Sequence, residues 1–263
     1  VAVFKRYPAE GGGDVSKLLL CIVMGSALLG LSGCAISEAA KKQASYHYQM
    51  GLSNLGENNV TSALVEFTEA EKITPEDPDL LHYLGQAYYR KSKFELAEQK
   101  YLKAISLKPA NSDIRNSLGV DYLEMKRWDD AIHQFKIVVD DIFYQNQEAA
   151  TINLGLAYFG KGDYPKALSI FRTVVSGNPR NTRARFNLGK VYFTLDKVEL
   201  AISELKKAVE QNRDYTNAHY QLGLAYLKLK DSSSARASFK EVIRIAPDSE
   251  MGQLSRDYLE LLK

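Results

Sequence analysis

The side chains with which this chain could do chemistry are few, and their spacing excludes most chemistries. Four histidines are present, His47, His82, His133 and His219. They stand at dissimilar places relative to the repeated landmarks described below, so neither a shared metal site nor a common general base is assembled. Both cysteines, Cys21 and Cys34, precede residue 35. The rest of the chain therefore contains no disulfide and shows no zinc-type cysteine spacing. No glycine-rich phosphate loop occurs. Lys plus Arg number 34 against 32 Asp plus Glu, and beyond residue 34 the two signs are 31 and 30. That balance lacks the basic footprint of a nucleic-acid binder. Two features remain: the thiol of Cys34, and a set of asparagine, aromatic and basic side chains that recur at a fixed interval. The second set includes Asn153 and Asn187, 34 residues apart.

The interval belongs to the whole chain. Gly51, Gly85, Gly119, Gly155, Gly189 and Gly223 are separated by 34, 34, 36, 34 and 34 residues. A period of this size means a solenoid of stacked supersecondary units. With Glu148 as position 1 of its copy, position 7 carries Met50, Leu84, Leu118, Leu154, Leu188 and Leu222. Position 11 carries Tyr88, Tyr122, Tyr158, Tyr192 and Tyr226, with Asn54 as the exception. Position 20 is Ala63, Ala97, Ala131, Ala167, Ala201 and Ala235, and position 24 is Phe67, Tyr101, Phe135, Phe171, Leu205 and Phe239. Each copy reads as two antiparallel helices. Small residues such as Gly155 and Ala167 are expected where the backbones meet, and Leu154, Tyr158 and Phe171 fill the space between successive hairpins. Pro75, Pro109, Pro179 and Pro247 end second helices, because proline cannot continue the helical hydrogen bonding.

These residues resemble the tetratricopeptide repeat family in six of six copies, from Ala44 to about residue 248. The resemblance implies an all-α, right-handed superhelical solenoid of six helix-turn-helix repeats. It also implies that first helices line a concave surface, with positions 2, 5, 6, 9, 12 and 13 facing into it. On that assignment repeat four offers Ile152, Asn153, Leu156 and Phe159. Repeat five offers Arg183, Phe186, Asn187, Lys190 and Phe193, and repeat six Gln221, Leu224 and Leu227. The asparagines could hydrogen-bond the backbone of an extended segment while the phenylalanines take its side chains; asparagine is also common there in the family and could be structural. Position 5 reads Tyr48, His82, Asn116, Ile152, Phe186 and Tyr220, with no lysine. That argues against the chaperone-tail clamp, which holds a C-terminal carboxylate. The expectation is a protein partner, with no nucleic acid, small-molecule substrate, metal or cofactor.

The N-terminal stretch carries the other chemistry. Residues 18–31 form an apolar run of 14 preceded by Lys17. It is short for a membrane span and has the build of a signal peptide, assigned here to residues 1–33. Leu31-Ser32-Gly33-Cys34 resembles a bacterial lipobox, which implies covalent lipid on Cys34 as the mature N-terminus; two or three acyl chains suffice for stable anchoring. Ala35 after the cysteine, by resemblance to Gram-negative lipoproteins, implies the periplasmic face of the outer membrane. Residues 1–14, with Glu10 and Asp14, suit no signal peptide, and a start at Val15 would leave them untranslated. Residues 34–43 are a short lead-in with Ser37 as N-cap. The first helix then begins only a few residues from the lipid.

Two places depart from the period. Trp128 at position 17 is equivalent to Phe94 and Tyr164 and reads as packing. Between repeats three and four, Asp140 to Gln145 replace the proline-ended turn and add two residues, so Asp141, Phe143 and Tyr144 form a candidate contact loop that could equally plug the altered joint. Residues 249–263 read as a capping helix, with Met251, Leu254, Tyr258 and Leu261 covering the last repeat while Arg256, Asp257 and Glu260 face water. A lipobox, six repeats, a final helix and the expanded joint before Ala150-Thr151-Ile152-Asn153-Leu154-Gly155 together resemble the type IV pilus pilotin family, PilF/PilW. That resemblance implies an adaptor that delivers the pilus secretin to the outer membrane and supports its multimer assembly. The alternative is a general periplasmic scaffold lipoprotein of the NlpI type, gathering peptidoglycan hydrolases or proteases. An enzyme is disfavoured, because nearly every residue from Ala44 onward is assigned to a repeat.

Overall fold

The computed structural model describes residues 36–262. The apolar run, the lipobox and Cys34 lie outside the described residues. Thirteen α-helices and no strand are found among them. Six are first helices: α1 (Glu38–Gly56), α3 (Pro78–Arg90), α5 (Ser112–Glu124), α7 (Gln147–Lys161), α9 (Thr182–Thr194) and α11 (Thr216–Lys228). Each is followed by its second helix: α2 (Val60–Ile73), α4 (Phe94–Leu107), α6 (Trp128–Asp140), α8 (Tyr164–Gly177), α10 (Val198–Gln211) and α12 (Ser232–Ile245). A final helix, α13 (Glu250–Leu261), follows them. Every helix packs on its neighbours in sequence. The backbones of successive first helices also approach one another, whereas those of successive second helices stand further apart, α2 and α4 being bridged by the Lys100–Glu71 ion pair. A stack whose first helices converge and whose second helices splay must curve, with the first helices inside.

The repeated positions account for this stack. All six position-20 alanines are fully buried, and the position-24 side chains are 0–1% exposed. The glycines serve a different contact from the expected one. A Cβ on Gly155 would lie 2.7 Å from the Phe171 ring, one on Gly51 2.4 Å from Phe67, and one on Gly189 2.7 Å from Leu205. The first helix thus lacks a side chain at position 8 so that the large position-24 group of its own hairpin can lie flat against it. The closest approach is side chain to backbone; at Gly189 a backbone atom, the Ala201 carbonyl oxygen at 3.3 Å, also comes near.

Local sequence sets the helix ends. Ser37 caps α1 by accepting from Ala40 N at 3.2 Å. Asp77, Asn111 and Asn181 cap the first helices α3, α5 and α9 through side-chain oxygens. Second helices stop at Thr74, Lys108, Asn178 and Ala246, one residue before each proline, with ψ of 67–86°, outside the helical region that a following proline disfavours. The turn inside each hairpin passes through the left-handed region at one equivalent residue: Asn58, Ser92, Lys126, Gly162, Asp196 and Lys230. Trp128 packs against the next repeat, since a Cβ on Gly160 would meet its ring at 2.6 Å.

The capping helix departs from the expected stripe. Leu254 is 38% and Leu261 82% exposed, so neither covers the last repeat. The buried face is instead Gly252 and Ser255, flanked by Tyr258, which stacks on Phe239 at 4.9 Å between ring centroids and 6° between planes. The rotation follows from Gly252. A Cβ there would lie 2.3 Å from the Ala246 carbonyl oxygen, so the helix seats its smallest residue against the end of α12 and the leucines turn outward.

Candidate functional site

The inner side of the curve is built by α1, α3, α5, α7, α9 and α11, and its character changes along the stack. In repeats four to six, α9 presents Arg183, Phe186, Lys190 and Phe193 at helical spacing on one face. The Lys190 ammonium sits 5.1 Å from the centroid of the Phe159 ring on α7 and 5.7 Å from that of Phe186 on its own helix. Phe159 packs on Tyr164 and Phe186 on Tyr215, with centroids 5.4 and 5.0 Å apart, which fixes both rings. One helical turn further, Lys228 lies over Phe193 and pairs with Asp196. Leu156, Gln221, Leu224 and Leu227 are half-buried around this aromatic strip.

Arg183 stands at the other end of the same face and donates to Asn153 Oδ1 at 2.7 Å. Asn153 Nδ2 points to Asn116 Oδ1 at 3.4 Å, while Asn187 Nδ2 donates to the Arg183 carbonyl at 2.8 Å. Both asparagines are buried, at 6% and 5% exposure, and Ile152 is 2% exposed. These three side chains therefore support the groove wall from behind. The accessible surface is carried by Arg183, Phe186, Lys190, Phe159, Phe193 and Leu156. Burial lowers the pKa of Lys190, and among the described residues no carboxylate pairs with it or with the exposed Arg183.

The first three repeats present another surface. A cavity of about 580 Å³ is lined by Tyr48, Asp79, His82, Tyr83, Asp113, Asn116 and Tyr144, among others. It is polar and acidic. His82 bonds Ser117 at 2.9 Å, and burial lowers its pKa. The other histidines are also occupied locally: His47 with Glu66, His133 with Gln134 and His219 with the Arg213 carbonyl.

The expanded joint divides its residues between these roles. Asp141 is structural, accepting from Ser112 Oγ and, at 3.0 Å, from Phe143 N. Tyr144 turns inward to line the acidic cavity, and burial together with Asp113 raises its pKa. Phe143 is 87% exposed beside Ile142 at 79%. Sequence reasoning named Phe143 but passed over Ile142, although its apolar type in a turn was the available signal.

Models described as tetratricopeptide repeat match residues 85–126, 116–172, 152–215 and 196–257, a continuous two thirds of the chain. The chain belongs to the tetratricopeptide repeat family. Two curated relatives are equally close in identity. The type IV pilus assembly protein PilF of Pseudomonas aeruginosa is 27% identical over 137 residues, 49% of this chain and 54% of PilF. The BBSome complex member BBS4 of Bos taurus is 27% identical over 126 residues, 48% of this chain and 24% of BBS4. The chain thus spans about half of one curated relative and a quarter of the other. Among solved structures, PilF superposes with a TM-score of 0.68 at 18% identity, covering 84% of this chain and 100% of that one. PilW, a type IV pilus biogenesis factor, gives 0.73 at 16% identity, covering 80% and 97%. At such identities the superpositions establish the all-α superhelical fold. Repeats of this family generally serve as protein-interaction scaffolds.

Proposed function

We propose that this chain is an outer-membrane-anchored adaptor of type IV pilus biogenesis, held by lipid on Cys34, which brings the secretin to its membrane and promotes its multimer assembly. The supporting observation is the sequence likeness to PilF, 27% identical over 54% of its length, against a quarter of the length of BBS4 at the same identity. The lipobox at Leu31–Cys34 supplies an address consistent with that role. The acyl chains would hold the array at the periplasmic face, and the concave groove would grip the partner.

The test is the secretin's multimer-to-monomer ratio in unheated membranes from wild type, a deletion, Cys34→Ala and Phe186→Asp. Loss of multimer in the deletion is expected. Cys34→Ala should then mislocalise the secretin, and Phe186→Asp should weaken assembly with the adaptor still at the membrane. An unchanged multimer in the deletion would sink the pilus reading and favour a general periplasmic scaffold.

A further inference from the structure

The groove of repeats four to six holds two cations, Lys190 and Arg183, that no carboxylate pairs with among the described residues. Lys190 lies between the rings of Phe159 and Phe186, and Arg183 lies seven residues earlier on the same helix face, about 10 Å away by helical rise. Arg127, Arg185, Lys228 and Arg244 each have an acid, and Arg90, Arg115 and Arg172 donate to neutral oxygens instead, whereas Lys190 is held only between rings. Ring faces attract the ammonium and hold it in place, but they do not neutralise it. Arg183 spends part of its fork on Asn153 and has donors left over.

From this geometry we infer that repeats four to six take an extended protein segment carrying a carboxylate between apolar side chains, the carboxylate meeting Lys190 within the positive field to which Arg183 adds and the apolar groups lying on Phe159, Phe186 and Leu156. The inference rests on the groove being the binding face and goes beyond the pilus reading by fixing the chemistry of what is bound. An incoming anion would offset the burial that disfavours the charged form of Lys190. The same requirement excludes a basic segment from this half, since it would meet two uncompensated positive charges.

The probe is a set of fluorescein-labelled nonapeptides identical except at the centre, Leu-Asp-Leu, Leu-Asn-Leu and Leu-Lys-Leu, titrated by anisotropy against the full chain in detergent. The aspartate peptide should bind about tenfold more tightly than the asparagine peptide, with the lysine peptide weakest, and the preference should shrink as salt rises. Lys190→Met retains the packing stem and should remove most of the preference, whereas Lys190→Arg should keep it; circular dichroism on both variants reports whether the array is folded. Equal affinities for the three peptides, no binding by any, or an undiminished preference in folded Lys190→Met each overturn the inference. Its failure is separable from failure of the pilus reading. A missing acid preference with secretin assembly dependent on the chain defeats only the former, and an acid preference with assembly unaffected by deletion defeats only the latter.

Discussion

The two halves of the array, divided by the six-residue joint from Asp141 to Asn146, use the same positions for opposite chemistry. Position 2 of the repeat is Ser45, Asp79 and Asp113 in the first half and Ala149, Arg183 and Asn217 in the second. Position 9 is Leu52, Gln86 and Val120 before the joint and Leu156, Lys190 and Leu224 after it, so the acids fall in repeats two and three and the cations in repeat five. The first half therefore offers an acidic, tyrosine-lined cavity, and the second a strip of rings bearing unpaired cations. The scaffold is indifferent to this difference. Positions 8, 20 and 24, which build the hairpins, are nearly invariant between the halves, so the inner face is free to vary without a change in stacking. An extended occupant running along the whole groove would be polarised, with its basic end against repeats two and three and its acidic end against repeats four to six.

The contrast extends into the core at one residue. Position 10 is Ala87, Ala157, Val191 and Ala225 in four repeats, all fully buried, but Asp121 in repeat three. Both its carboxylate oxygens are buried without a hydrogen-bond partner. Burial first, and then Glu98, Glu95 and Glu124, push its pKa up to about 7 against the pull of Arg127. Below about pH 4 folded and unfolded chains both hold the proton. From there to about 7 the unfolded chain has released it and the folded chain has not, so stability falls as pH rises, and above 7 the full penalty persists. Asp121→Ala should raise stability at pH 8 by about 2 to 4 kcal/mol and flatten that slope, as read by urea unfolding at pH 4 and pH 8. A variant with unaltered slope would show that the acid bias of the first half stops at the groove.

A smaller effect separates the halves at position 4. Arg185 donates to the Pro179 carbonyl at 2.7 Å and pairs with Glu204 in a largely buried setting. Arg115, its counterpart before the joint, donates to the Pro109 carbonyl at 2.8 Å but meets Gln134 where Glu204 would be. Glu204→Gln should cost about 1 to 2 kcal/mol, and Gln134→Glu should gain about 0.5 to 1 kcal/mol. Thermal unfolding of the pair of variants checks the signs. If both changes proved neutral, the charge difference between the halves would have no energetic weight outside the groove.

The hairpins and their period were legible in the sequence because six copies report the same constraint, and burial at positions 20 and 24 follows it. What the glycines face was not legible: a small residue signals a close approach without saying whether backbone or ring fills the space, as Gly155 against Phe171 illustrates. The capping helix was misread by about one residue in rotation, because a leucine stripe outweighed Gly252 and Ser255, whose burial is decided by the end of α12. In the groove, Asn153, Asn187 and Ile152 were readable as inward-facing but not as buried, a matter of how tightly adjacent first helices close. The Lys190 arrangement crosses a repeat boundary to Phe159, and no single copy displays it. Asp121 could have been found by aligning position 10 across the copies.

The intra-hairpin turn supplies a comparison in which the two halves should agree. Its left-handed residue is Lys126 before the joint and Lys230 near the far end, with φ of 57° and 59°, and Gly162 with φ of 86° immediately after the joint. A side chain in this region costs about 1 kcal/mol or more, partly offset on replacement by glycine because glycine loses more freedom on folding. Lys126→Gly and Lys230→Gly should each gain about 0.5 kcal/mol, and Gly162→Ala should lose about 1 kcal/mol, measured by urea unfolding. Equal gains at residues 126 and 230 would locate the difference between the halves entirely in side chains of the inner face. Unequal gains would instead place part of it in the backbone, and the joint would then be separating two hairpin geometries as well as two chemistries.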